Sequence, residues 1–186
     1  MRKLELAVLI LLALMLSGCA AGGKMYIKAK RLNDESTQSM MMEHIQISLY
    51  GNLEENEELL FTVEQYDEGN ETGIPITLPL SGELKDYRKI SFNVDNDIYL
   101  GKQTVSLGRA EEMESVIVEG LYESYGMDIH HDGKKQLHLN KPIYLAFWVG
   151  SQDGRISIAA KRAPDIAPLM ENGRLFLLKV ERKKAE

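Results

Sequence analysis

Behind an apolar leader, most of this chain alternates apolar and polar residues with a period of two, the mark of strands that lay one face on a core. Met25, Ile27 and Ala29 oppose Lys24, Tyr26, Lys28 and Lys30. Ile45, Ile47 and Leu49 oppose Gln46, Ser48 and Tyr50, and after the acid-rich stretch Gly51 to Glu58 come Leu59, Phe61 and Val63 against Leu60, Thr62 and Glu64. These two runs read as an antiparallel hairpin. A turn over Asp67 to Gly73 leads into Ile74, Ile76, Leu78 and Leu80, alternating with Pro75 and Pro79. Proline has no ladder donor, which confines this run to a sheet edge or an irregular segment. Two more strands are predicted, Lys89 to Val94 and Ile98 to Leu107, parted by Asp95-Asn96-Asp97, with Gly101 a candidate bulge in the second.

Ala110 to Tyr125 breaks the alternation. Met113, Val116, Ile117, Leu121 and Tyr125 fall at helical spacing, Glu111, Glu112 and Glu114 suit a positive helix N-terminus, and Gly126 suits its stop. The spacing predicts one helix here; the competing assignment is a strand over Ser115 to Tyr122, favoured by Val116-Ile117-Val118. Period two then returns most strongly. Ile143, Leu145, Phe147 and Val149 point one way and Tyr144, Ala146 and Trp148 the other, so both faces are apolar and the strand is expected to be central. Gln152-Asp153-Gly154 turns into Ile156, Ile158 and Ala160, Pro164 and Pro168 forbid a strand over Ala163 to Met170, and Arg174 to Glu181 closes the chain. About eight strands with turn signals between them predict a mainly β fold, an antiparallel sandwich or small barrel with one helix near 110–125.

The leader itself carries the most specific signal. Arg2 and Lys3 open it, an apolar run from Leu6 to Leu16 follows, and Leu16-Ser17-Gly18-Cys19 closes it; Glu5 departs from the basic start. Eleven apolar residues rise only about 16 Å as a helix, roughly half a bilayer's hydrocarbon core, so the run does not read as a transmembrane anchor. The four closing residues resemble the lipobox of bacterial lipoprotein precursors. That resemblance covers the leader alone, and it implies cleavage before Cys19 and acylation of the Cys19 thiol with a diacylglycerol. Residues 1–18 are then a signal peptide, 19–23 a lipidated tether, and 24–186 a single β-rich domain. Each buried methylene contributes about 0.8 kcal/mol, so two or three chains anchor firmly where one does not. Ala20, in place of the aspartate linked to inner-membrane retention, implies outer-membrane sorting in a Gram-negative host and the outer leaflet of the cell membrane in a one-membrane bacterium.

Composition narrows the choice of partners. The 186-residue chain carries a net charge of −6; without Arg2, Lys3 and Glu5 the 168 residues from Cys19 onward carry −7. That balance, with basic residues scattered except at Arg182-Lys183-Lys184, argues against nucleic acid and anionic headgroups. Cys19 is the only cysteine, so no disulfide framework or thiol nucleophile is available and the fold must rest on its apolar core. Met40 to Met42, in the polar loop Arg31 to Met42, read as residues tucked under that core rather than as a contact surface.

Candidate chemistry gathers near the histidines. If Ile129 faces Leu137 and Met127 faces Leu139 in a hairpin centred on Gly133, Asp128 lies across from His138 with His130 two residues along the same face. Asp128, His130 and His138 would form a two-histidine, one-carboxylate set suited to zinc or ferrous iron. The plainer interpretation, a wet hairpin face, is preferred, and His131 and His44 add nothing to the set. No phosphate-cradling glycine loop, nucleophile elbow, zinc-protease helix or calcium loop is present. Tyr144 and Trp148 read as core filling, while Tyr122, Tyr125 and Met127 are the expected partner-contact patch.

These features favour a membrane-anchored, non-catalytic binding or assembly module of the cell envelope. Its expected partners are the bilayer, through Cys19, and another envelope or secretion-system protein, the latter by fold-level analogy with the lipid-anchored sandwich proteins of type VI secretion. Two alternatives stand beside it. One is a metal-dependent hydrolase or metal-binding protein using the 128–138 hairpin; the other is a carrier of a small hydrophobic ligand in a cavity lined by Phe147, Ile156 and Phe176.

Overall fold

A computed structural model describes residues 23–32, 42–82, 89–97, 99–109, 112–120, 122, 124–131, 133–151 and 173–185. The leader with Cys19, Met40 and Met41, and the expected Asp153-Gly154 hairpin with Ile156 lie outside the described residues. The chain is mainly β and folds into two antiparallel sheets. Strands β1 (Met25–Arg31), β2 (Met42–Tyr50), β5 (Lys89–Asp97), β6 (Lys102–Arg109), β7 (Glu112–Glu119) and β9 (Lys135–Leu137) form a six-stranded sheet in the order β7-β6-β5-β2-β1-β9. Strands β3 (Glu57–Asp67), β4 (Asn70–Ser81), β8 (Ser124–Ile129), β10 (Ile143–Ser151) and β11 (Arg174–Lys184) form a five-stranded sheet in the order β4-β3-β11-β10-β8.

Between the sheets lies a core built by the period-two residues. Met25 and Ile27, Ile45 and Ile47, and Phe92 and Val94 of one sheet are buried in one cluster with Leu59, Phe61, Val63, Trp148 and Phe176 of the other. A sandwich arises because neither sheet can hide its apolar face alone. The proline-bearing strand β4 is an edge strand, as its missing donors require.

Four expectations need correction. Residues 112–119 are strand β7, not helix; it pairs with β6 from Lys102↔Glu119 to Arg109↔Glu112, and there is no helix among the described residues. Val116 and Val118 turn inward while Ile117 is 64% exposed. An eight-residue ladder on β6 outweighs the weak helical spacing, and the β-branched run suits a strand. Second, β2 and β3 do not form a hairpin: β2 pairs with β1 and β5, β3 with β4 and β11, and Gly51–Asn56 crosses between sheets. Third, β6 begins at Lys102 rather than Ile98, and Gly101 is a turn residue with φ 66° instead of a bulge.

Fourth, β10 does not alternate cleanly. The register with β11 shifts between Tyr144 and Ala146, so Leu145 and Ala146 both join the inter-sheet core. Beyond the bulge the faces are exchanged, and Phe147 and Val149 join Leu175, Leu177 and Tyr144 in a second buried cluster on the opposite side of the sheet. One inserted residue does this because side-chain direction has a period of two. Buried on both faces, β10 lies between β11 and β8, as its composition implied.

Candidate functional site

The strand directions define two ends. Met25 starts β1 beside the end of β2, where Tyr26 pairs with Tyr50, and Lys89 starts β5 opposite Ser48. Chain entering at Gly23 therefore meets the sandwich at this end. From Lys89 to Asp97, β5 runs about 26 Å toward the other end at ~3.3 Å per residue.

The expected metal hairpin does not form. Strand β8 bonds to β10 in one sheet and β9 to β1 in the other, so the connection between them crosses the sandwich. Asp128 pairs with Phe147 and accepts a 2.9 Å bond from the Ile129 amide. His130 and His131 follow β8 with ring centroids 4.5 Å apart, and His138 is exposed beyond β9. Among the described residues no group of three or more histidine, cysteine, aspartate or glutamate side chains is placed to hold a metal ion. Burial, with the Lys135 charge behind it, lowers the His130 pKa; burial, then His130 and Lys135, lowers that of His131. Sequence periodicity cannot reveal that two neighbouring strands belong to opposite sheets, because either arrangement buries the same alternating residues.

The expected contact patch is also rearranged. Met127 is core, 1% exposed, while Tyr122 and Tyr125 are half-buried against Trp148. Tyr125 stacks on the Trp148 ring at 6.2 Å, Tyr122 meets it edge-on at 6.0 Å, and Phe176 lies 5.5 Å away. Gly150 makes this packing possible: a Cβ there would sit 2.5 Å from the Trp148 ring and 2.7 Å from that of Tyr122. Burial raises the pKa of both tyrosines, so their hydroxyls stay protonated. On the same strand the β10 bulge puts Phe147 and Phe176, two of the three residues suggested for a ligand cavity, on opposite faces of their sheet.

Arg174 ties the sheets together at the far end. Its Nε donates to Asp67 Oδ1 at 2.7 Å, and its Nη1 donates to the Glu119 carbonyl at 2.6 Å and Gln103 Oε1 at 3.5 Å. The guanidinium lies 5.4 Å from the Tyr122 ring centroid. Burial acts to raise the Asp67 pKa, but the bonds from Arg174 and Gln65 outweigh it and hold the carboxyl below its usual range. At the tether end, Arg182 donates through Nε and Nη2 to Glu57 Oε2 at 2.9 and 2.6 Å, and both side chains are buried.

Two surface features were not anticipated. A cleft of about 280 Å³ opens between the edges of the two sheets near the tether end, with Leu78, Leu80, Ile90 and Met113 beside Arg109 and Glu112. Its size falls just below the usual range of small-molecule sites. The other is the β5–β6 connection at the far end. Tyr99 is 94% exposed and Leu100 68% exposed, and both backbone amides donate to Asp97 Oδ1 at 3.0 Å. Gly101 supplies the left-handed residue, and its carbonyl accepts a 3.0 Å bond from the Gly120 amide. Asp97 and Gly101 were the available turn signals; the apolar run between them masked the turn by resembling a strand.

No helix among the described residues is long and apolar enough to cross a membrane. The chain matches no protein-family model, and no curated protein or solved structure matches it.

Proposed function

We propose that this chain is a lipid-anchored cell-envelope protein whose β body is a non-catalytic binding or assembly module. The observation that carries it is Leu16-Ser17-Gly18-Cys19 directly behind a leader too short to span a bilayer. In this reading, cleavage before Cys19 leaves the acylated residue four positions from Gly23, so the tether holds the body close to the lipid surface. The location is the outer membrane in a two-membrane host and the outer leaflet of the cell membrane otherwise. The sequence carries none of the nucleophile, phosphate-loop or zinc-protease motifs that would favour catalysis.

Metabolic labelling with an alkyne palmitate analogue tests the anchor. The full-length protein is expected to take up label and fractionate with membranes, and Cys19→Ala to lose both label and membrane retention. An unlabelled wild-type protein, or a Cys19→Ala variant held in membranes as firmly as wild type, overturns the proposal.

A further inference from the structure

Of the features outside the packed core, the cleft adjoins residues outside those described, and the three-histidine region is split between sheets. The far-end hairpin is different: its apolar side chains are exposed on a backbone held in place by named bonds. We infer that Tyr99 and Leu100 form the anchor of a protein-docking surface, inserting into an apolar pocket with a basic rim on another envelope protein.

Three observations combine here. The first is exposure. Tyr99 and Leu100 are the two most exposed large hydrophobic side chains among the described residues, and burying such side chains in a partner pocket is the usual source of binding energy at an interface. The second is preorganisation. Asp97 fixes the Tyr99 and Leu100 amides, and the Gly120 amide bonds the Gly101 carbonyl, so less ordering is left to be done on binding.

The third observation is charge, which selects the kind of partner. Asp95 and Asp97 precede the tip, and Lys102 after it lies in register between Asp97 on β5 and Glu119 on β7. Arg174, the nearby cation on the second sheet, is engaged by Asp67. The tip is thus apolar with an acidic surround, complementary to a basic rim and repelled by anionic headgroups. Position agrees with this. If the anchor is at Cys19, the bilayer lies at the opposite end of the sandwich, and the tip faces away from it. That orientation rests on the function proposed above; the charge and exposure do not.

The test uses the full-length acylated protein in its own envelope, with Tyr99→p-benzoylphenylalanine as photoprobe and Lys28→p-benzoylphenylalanine as control on the exposed outer face of β1. Irradiation is expected to give one discrete adduct with a different protein from position 99 and none from position 28. In membranes prepared from these cells, Leu100→Asp is expected to reduce adduct yield at least about tenfold, while Leu100→Met retains it. Raising salt from about 50 to about 500 mM is expected to lower the yield several-fold. Adducts with lipid or with a second copy of this chain overturn the inference, as do the absence of any adduct, equal labelling from position 28, or a yield unchanged by Leu100→Asp or by salt. Palmitate labelling of the same cells reads the anchor separately: lost label with a persistent position-99 adduct sinks the anchoring and leaves the docking surface intact.

Discussion

The most consequential single contact is the buried pair Glu57–Arg182. Two carboxylate bonds and a 3.5 Å approach of Lys184 to Glu57 Oε1 satisfy a charge at the start of β3 that would otherwise sit 3% exposed. Desolvation raises the Glu57 pKa, yet the Arg182 bonds and the Glu54 amide more than reverse it, so its pKa lies below the usual carboxylate range. Arg182→Met is therefore expected to cost about 3–5 kcal/mol, because it strands a buried charge, whereas Glu57→Leu with Arg182→Met recovers most of that loss. Urea unfolding of the wild type and of these two variants checks this; an Arg182→Met cost under about 1 kcal/mol contradicts it. None of this was visible in the sequence. Residues 57 and 182 are paired only because β11 returns beside β3, and a glutamate in an acid-rich stretch and an arginine in a basic terminal cluster look like solvent-facing positions.

Among the elements, β7 shows how an edge strand can imitate a helix. Its Val116 and Val118 face the core while Met113 lines the cleft, and Glu112, Glu114 and Glu119 guard the open edge against further strand pairing. A helical stripe would bury Ile117 and expose Val118; the ladder does the reverse. Ile117→Lys should change stability by no more than about 0.5 kcal/mol, and Val118→Lys should lower it by at least about 1 kcal/mol. Chemical denaturation gives both values, and the opposite ranking would restore the helix. The β5–β6 turn carries the same lesson. Ile98-Tyr99-Leu100 reads as strand on hydrophobicity, but the Asp97 side chain and Gly101 close the chain into a turn and leave Tyr99 and Leu100 outside.

For the whole molecule, acid is expected to act in two windows. Below the ordinary histidine value of 6.5, the unfolded chain binds protons at His130 and His131 that the folded chain resists, so stability falls as pH drops from about 7 to 5. A second loss follows below the ordinary carboxylate range near 4, where Glu57 and Asp67, both with lowered pKa, are forced to protonate. Urea midpoints measured across this range should decline in both windows, and His130→Asn with His131→Asn should flatten the first alone; a first window unchanged by that pair assigns the loss elsewhere. Local alternation by itself determined that the chain is β-rich, which residues of β1, β3 and β5 form the core, and that β4 is barred from the middle of a sheet, because side-chain direction and proline's missing donor are properties of a few consecutive residues. Only the tertiary structure decided which strands share a sheet, that Asp128 and His138 are parted, that a bulge exchanges the faces of β10, and that Tyr99 and Leu100 stand outside. Those outcomes depend on long-range ladder partners, and a period-two pattern satisfies many pairings equally well.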